Sequence, residues 1–156
     1  MKPKIVIVED HTILRDGLNS LLTMKDEFDV VGYASDGMAA IRSADEHQPD
    51  LMLMDISMPK MDGISAIREI KKQHPDMKIL ALTVHRDEEY ILAAFKEGVD
   101  GYCLKDAHFD EVLTAIRAIL SGKTYMSPEV SGKVLEGYLE GRKTIKSNSS
   151  WETLTQ

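Results

Sequence analysis

The stretch KIVIVED, residues 4–10, decides the fold class, because a short run rich in Val and Ile ends directly on two acids. LMLMD, residues 51–55, repeats the pattern with one acid, and YCLK, residues 102–105, ends on an amine. Such runs are typical of strands buried on both faces. In a parallel α/β sheet the carboxyl ends of the strands lie at one edge, where ligands bind. The pattern therefore predicts that three acids and one lysine meet at that edge. They are Glu9, Asp10, Asp55 and Lys105.

Strand-like runs alternate with helical periodicity along most of the chain. The predicted strands cover residues 4–8, 29–34, 51–54, 78–84 and 101–104. Between and after them, apolar residues recur at intervals of three and four, which is typical of helices packed on a sheet. The weakest of these helical stretches is residues 38–46. This order predicts an α/β fold in which helices cover both faces of a parallel sheet.

Several carboxylates in one pocket need a compensating charge. At an effective dielectric constant of about 20, two unit charges roughly 4 Å apart repel by about 4 kcal/mol. A metal ion, a shared proton or a lysine would offset this repulsion. Oxygen ligands without supporting histidines or cysteines favour Mg²⁺, and a carboxylate in such a pocket can attack phosphorus to form an aspartyl phosphate. Each acid taken singly is consistent with an ordinary solvated loop, so the prediction depends on the whole pattern.

Composition and charge exclude several classes of function. The 156 residues suit one domain with a short attachment. The net charge of −7 and the pI near 5.2 argue against a basic surface for nucleic acid or for anionic membranes. The single cysteine, Cys103, excludes an internal disulfide. Residues 1–4 lead directly into a strand rather than a signal peptide, and no apolar stretch is long enough to span a membrane. We therefore predict a cytoplasmic protein without a membrane partner.

The character of the sequence changes after residue 121. Residues 1–121 are predicted to form one domain, and residues 122–156 a short helix and a linker. The helix is predicted over 128–139, and residues 141–150 are polar and mildly basic, which is linker composition.

Separated motifs in a fixed order point to a known family. Beside the acids and Lys105, the hydroxyl of Thr83 ends the fourth predicted strand. DISMPKMDG, residues 55–63, and GVDGYCLK, residues 98–105, complete the pattern. The chain resembles the receiver domain of bacterial response regulators over roughly residues 3–121, and these two stretches are similar to that family's phosphoacceptor loop and fifth-strand signature. The resemblance implies a flavodoxin-like, doubly wound, five-stranded parallel sheet of order 2-1-3-4-5.

The resemblance also implies a role for each residue of the acidic edge. Asp55 would accept the phosphoryl group. Asp10 and Asp55, with the backbone carbonyl of Ser57, would bind Mg²⁺, and Glu9 would contribute directly or through a water molecule. Lys105 would pair with the carboxylate at rest and with a phosphoryl oxygen afterwards.

Two further residues resemble the switch of the family. Thr83 would hydrogen-bond a phosphoryl oxygen, and Tyr102 would then rotate inward into the space that Thr83 leaves. Taken alone, a threonine or tyrosine at such a position is more often an ordinary packing residue of a strand. His11 and His85 lie near the predicted pocket without metal-ligand spacing, so we interpret them as solvated loop residues.

The sequence departs from the family pattern at two places. The family often has Lys-Pro at the end of the fifth strand, with a cis bond, whereas this chain has Lys105-Asp106. The geometry of that peptide bond stays open at this point. Glu9 replaces the more common aspartate, and its longer side chain leaves direct metal contact open.

The end of the chain indicates a subfamily. Leu154-Thr155, after the predicted linker, resembles the start of the helix-turn-helix domain in NarL/FixJ-type (LuxR-type) regulators. The resemblance implies a signalling switch rather than an enzyme, phosphorylated by a sensor histidine kinase, and a phosphorylation-dependent homodimer. It would contact DNA only through a C-terminal domain absent from this sequence. The alternative is a stand-alone receiver that acts by protein–protein contact.

Two other functions on the same fold are less consistent with the sequence. A flavodoxin-like cofactor binder needs a loop that donates N–H groups to phosphate, whereas Glu9-Asp10-His11 would repel it. A haloacid-dehalogenase-like phosphatase needs a second aspartate two residues after the nucleophile, where this chain has Ser57. Neither a Gly-x-x-x-x-Gly-Lys nor a Gly-x-Gly-x-x-Gly motif is present.

Overall fold

A parallel sheet between two layers of helices forms the protein. The computed structural model describes the backbone of residues 1–57 and 62–147, and the side chains of these residues up to 140. The strands are β1 (Lys4–Val8), β2 (Asp29–Ala34), β3 (Leu51–Met54), β4 (Lys78–Thr83), β5 (Gly101–Leu104) and β6 (Tyr125–Met126). The helices are α1 (Thr12–Thr23), α2 (Gly37–His47), α3 (Gly63–Gln73), α4 (Glu88–Lys96), α5 (Phe109–Leu120) and α6 (Pro128–Ser147).

The strand order is β2-β1-β3-β4-β5-β6, and every neighbouring pair is parallel. This confirms the flavodoxin-like α/β fold and the predicted order of the first five strands. The predicted strand count was one too low, because Tyr125 and Met126 pair with Gly101 and Tyr102 as a sixth strand. Two residues are too few to show a strand period, so only pairing with β5 reveals this element.

The hydrophobic core lies on both faces of the sheet. Along β1, Ile5 and Ile7 face the cluster that contains α1 and α5, whereas Val6 and Val8 face the cluster beneath α2, α3 and α4. Successive side chains of a strand point to opposite faces, so a strand covered on both sides is apolar at every position. The continuous apolar runs of the sequence have this cause, and they place the ends of the strands at one edge.

Helix α6 is longer than the sequence predicted. The prediction of a helix over 128–139 was too short, because α6 continues to Ser147. The linker role of residues 122–156 stays a prediction. Val130 and Val134, four residues apart, pack against the core, and Gly137 lies so close to Glu88 that a Cβ would overlap the carboxylate. This packing supports the helix, and lysine and glutamate, which are good helix formers, occupy several of its other positions. Residues 148–156, with the Leu154-Thr155 motif, lie outside the described residues. The domain boundary after residue 121 stays a prediction.

The described helices include none that could cross a membrane, since each is too short or too polar for a bilayer.

Candidate functional site

The acidic edge is built by backbone hydrogen bonds that extend the sheet one residue beyond its strands. The amides of Glu9, Asp55 and Lys105 donate to Ala34, Val8 and Thr83, respectively, at 2.8 to 2.9 Å. Each functional residue therefore keeps the register of the strand before it. This places two acids and the lysine side by side at the carboxyl edge of the sheet, as the sequence predicts.

Lys105 bridges two carboxylates. Its Nζ lies 3.0 Å from Oε1 of Glu9 and 3.1 Å from Oδ2 of Asp55, and both acid side chains are only 2% exposed. Burial alone would lower the pKa of Lys105, but hydrogen bonds and charge attraction from Glu9 and Asp55 raise it above its ordinary value. The lysine is therefore charged at neutral pH, and charge-assisted hydrogen bonds of this kind are among the strong ones in proteins.

The other oxygen of Asp55 is bound within its own loop. Oδ1 accepts hydrogen bonds from the amide of Ser57 at 3.0 Å and from its hydroxyl at 2.9 Å. Gly63 closes the same loop, because its amide donates to the carbonyl of Ile56 and a Cβ at Gly63 would overlap the Ile56 backbone. The carboxylate of Asp55 is thus held in one orientation. Residues 58–61 of the predicted phosphoacceptor loop lie outside the described residues.

A second acidic cluster lies next to this ion pair. Among the described residues, ligand atoms within 4.8 Å of one another belong to Glu9, Asp10 and His11. His11 Nδ1 is 3.1 Å from Oε2 of Glu9 and 3.6 Å from Oδ1 of Asp10, although the His11 side chain is 74% exposed. The His11 ring is solvated, as the sequence predicts for a loop residue, and it also faces the two acids.

Asp10 supplies the observation that favours a cation at this edge. Its Oδ1 is buried and, within the described part of the chain, has no hydrogen-bond partner. A buried carboxylate oxygen without a partner costs free energy, which a bound cation would offset. The residues present therefore fit a hard divalent ion. The full predicted ligand set, with Asp55 and the Ser57 carbonyl, stays a prediction.

The two predicted switch residues bind the backbone of the same residue. The hydroxyl oxygen of Thr83 accepts a hydrogen bond from the amide of His85 at 3.3 Å, and the hydroxyl of Tyr102 donates to the carbonyl of His85 at 2.8 Å. Both side chains are fully buried. Burial, followed by the charge of Asp87, raises the pKa of Tyr102. The ring of Tyr102 already lies inward in this structure.

Sequence reasoning missed the role of Tyr90 and underrated His85. Tyr90, in the first turn of α4, stacks on the His85 ring with centroids 3.9 Å apart and planes 9° apart. The only sequence signal for Tyr90 was its place at the start of the helix after β4, which faces the carboxyl edge.

The Lys105–Asp106 peptide bond is trans, since the described residues include no cis peptide bond.

Comparisons with known proteins agree with this geometry. The response regulator receiver domain family matches residues 5–117. The transcriptional regulatory protein DegU of Brevibacillus brevis is 37% identical over 137 residues, which cover 88% of this chain and 58% of DegU. The chain thus spans little more than half the length of that relative.

Solved structures of response regulators are also similar to this chain. A LuxR-family two-component response regulator from Aurantimonas is 34% identical with a TM-score of 0.84, over 89% of this chain and 99% of that one. RcsB of Salmonella enterica serovar Typhimurium, bound to a promoter in the presence of the phosphomimetic BeF₃⁻, is 25% identical with a TM-score of 0.81. That match covers 90% of this chain and 70% of RcsB. Another RcsB structure holds two dimers bound to two parallel DNAs.

Proposed function

Because this chain belongs to the response regulator receiver family, and within it to the NarL/FixJ (LuxR-type) group, we propose that Asp55 accepts a phosphoryl group from a sensor histidine kinase. The observation that carries this proposal is the ion pair of Lys105 with Asp55 and Glu9 beside a buried Thr83. The protein is a signalling switch that transfers the group only to its own Asp55. Phosphorylation then changes the output of a DNA-binding domain.

The transfer exchanges one bond to phosphorus for another. The bond from phosphorus to the kinase histidine nitrogen breaks, a bond to a carboxylate oxygen of Asp55 forms, and the released imidazole takes a proton from solvent. The transition state is loose and spreads negative charge over the phosphoryl oxygens, so positioned cations provide most of the catalysis. Lys105 is such a cation, and Thr83 offers a hydroxyl to a second phosphoryl oxygen. No separate general base is needed.

Glu9, Asp10, Asp55 and the backbone carbonyl of Ser57 are the groups that would hold Mg²⁺ in this proposal. The buried oxygen of Asp10, which has no hydrogen-bond partner among the described residues, supports this proposal. The bound ion would supply charge neutralisation at the phosphoryl oxygens. Residues of the chain position these groups. Ser57 orients Asp55 through two hydrogen bonds, and the charge of Lys105 offsets the repulsion between the buried carboxylates of Glu9 and Asp55.

Output through DNA is supported by the relatives rather than by the receiver itself. DegU and RcsB both extend well beyond the matched region, and the net charge of −7 gives this chain little attraction for DNA phosphates. We also propose a cytoplasmic location and a homodimer that tightens on phosphorylation, which the RcsB dimers on DNA support. A receiver that acts only by protein–protein contact is the alternative, and the genomic sequence after Gln156 would separate the two.

The phosphoacceptor assignment is tested by intact mass after incubation with acetyl phosphate, with and without Mg²⁺. One phosphoryl group is expected, only with Mg²⁺, and Asp55→Asn should abolish it because an amide is a poor nucleophile. Asp76→Asn, at an exposed acid before β4, is the matched control and should keep it. Full phosphorylation of the Asp55→Asn variant on another residue would overturn the proposal.

A further inference from the structure

Tyr90 joins two loops that meet at the phosphoacceptor site. Its hydroxyl donates a hydrogen bond of 3.2 Å to the carbonyl of Ile56, the residue directly after Asp55. Its ring lies flat on His85, 3.9 Å away. One side chain from the first turn of α4 thus contacts the loop after β3 with one end and the loop after β4 with the other.

His85 is held from three sides. Its amide is bound by Thr83, its carbonyl by Tyr102, and its ring by Tyr90. Both switch residues form their hydrogen bonds with the backbone of His85. The stacked ring of Tyr90 therefore gives a movement of the His85 side chain a direct contact with α4.

The hydroxyl of Tyr90, at the other end of the side chain from the backbone, also has a defined partner. The carbonyl of Ile56 is shared between the hydroxyl of Tyr90 and the amide of Gly63, and the Ile56 side chain is fully buried. Burial, followed by the carboxylates of Asp62 and Asp55, raises the pKa of Tyr90. The hydroxyl is therefore protonated at neutral pH and can serve as a donor.

We propose that Tyr90 is a positioning residue that couples the phosphorylation state of Asp55 to the position of α4. The inference rests on the proposed function. A phosphoryl oxygen on Asp55 would attract the hydroxyl of Thr83, which now accepts from the His85 amide. The phosphoryl group would also change the hydrogen bonds between Asp55 Oδ1 and Ser57, the residue directly after Ile56. Both ends of Tyr90 therefore contact groups whose bonding differs between the two states, as a coupling element requires.

The test uses Tyr90→Phe, which keeps the stacked ring and removes only the hydroxyl. Amide NMR shifts of Ile91 and Ala94 in α4 are recorded with and without saturating BeF₃⁻ and Mg²⁺, alongside phosphorylation stoichiometry with acetyl phosphate. We expect the BeF₃⁻-induced shift changes in α4 to fall at least twofold, while stoichiometry stays at one. Tyr33→Phe is the matched control, because Tyr33 is a half-exposed residue of the edge strand β2, and it should behave as the wild type.

Two further readouts separate the possible outcomes. The amide of Gly63 shares its acceptor with Tyr90, so its resting shift should move in Tyr90→Phe, while amides of β2 such as Gly32 stay unchanged. His85→Ala removes the stack from the other side and should reduce the α4 response in the same way. BeF₃⁻-induced shift changes in α4 of Tyr90→Phe that equal those of the wild type would overturn the coupling role and leave the phosphoacceptor role standing. Failure of the wild type to accept a phosphoryl group would overturn both.

Discussion

The ammonium of Lys105 lies 3.1 Å from Oδ2 of Asp55, and the two side chains are only 14% and 2% exposed. This pair connects the end of β5 to the end of β3, across β4. A phosphoryl group on Asp55 would attract the same ammonium, so the signal would begin when Lys105 exchanges one anionic partner for another. The consequences of this arrangement can be measured directly.

Replacing Lys105 should weaken signalling more than folding. Lys105→Ala leaves Glu9 and Asp55 without their shared donor, which should cost about 1–3 kcal/mol in the free energy of unfolding, measured by urea denaturation. The BeF₃⁻-induced shift changes of α4 amides should fall by more than half, because no ammonium follows the new phosphoryl oxygens. Lys123→Ala, at an exposed lysine, is the control. A variant with a normal α4 response would contradict the role of Lys105.

Magnesium should stabilise the protein through Asp10. At a hundredfold excess over its dissociation constant, a ligand of the native state adds about 2.7 kcal/mol, so Tm should rise in Mg²⁺. Asp10→Asn should remove this rise. Without Mg²⁺, however, the variant should be at least as stable as the wild type, because the Asp10 oxygen that loses its charge is buried and has no hydrogen-bond partner among the described residues. An unchanged Tm of the wild type in saturating Mg²⁺ would count against the acidic cluster as a metal site.

The docking of α6 should depend on apolar packing rather than on its salt bridge. Arg86 pairs with Glu129 of α6 and with Asp106, but all three side chains are well exposed, so Arg86→Ala should cost little stability. Val130 is buried, and Val130→Ala removes about 0.8 kcal/mol per methyl-sized group. Hydrogen exchange in residues 131–140 should therefore accelerate more in Val130→Ala than in Arg86→Ala. Faster exchange in Arg86→Ala than in Val130→Ala would show that the salt bridge of Arg86 holds the helix.

Stability should fall at alkaline pH because of Cys103. Burial raises the pKa of this thiol from 9.0 to about 12, so above pH 9 the unfolded chain releases a proton that the folded chain keeps. Each pH unit in that range should remove about 1.4 kcal/mol of stability. Cys103→Ala should flatten the curve from pH 9 upward. Tyr125→Phe should flatten it only above pH 10, because burial and Glu111 raise the pKa of Tyr125 from 10.0 to about 12. If the free energy of unfolding of Cys103→Ala fell with pH in parallel with that of the wild type, Cys103 would not cause the alkaline loss of stability.

Phosphorylation should change self-association without creating affinity for DNA. We expect a monomer or weak dimer that tightens when Asp55 is phosphorylated, since two-fold dimers suit paired DNA half-sites. Sedimentation at matched concentrations, with and without acetyl phosphate, measures this, and Asp55→Asn is the control. Identical profiles would remove dimerisation as the output and leave the chemistry at Asp55 unaffected.

Local sequence patterns determined the layout of this protein. Five apolar runs, separated by helical periodicity, set the first five strands, because burial on both faces of a sheet demands apolar residues at every position. The places of Glu9, Asp55 and Lys105 followed from the same pattern, since each stands directly after a strand and all parallel strands end at one edge.

Only the tertiary structure decided how side chains from distant segments meet. The two residues of β6 carry no period and exist as a strand through pairing with β5. The hydrogen bond of Tyr90 to Ile56 joins residues 34 positions apart. The burial of one Asp10 oxygen likewise depends on the segments packed around it. Such contacts depend on rotamers and on close packing between elements, and no run of neighbouring residues encodes them.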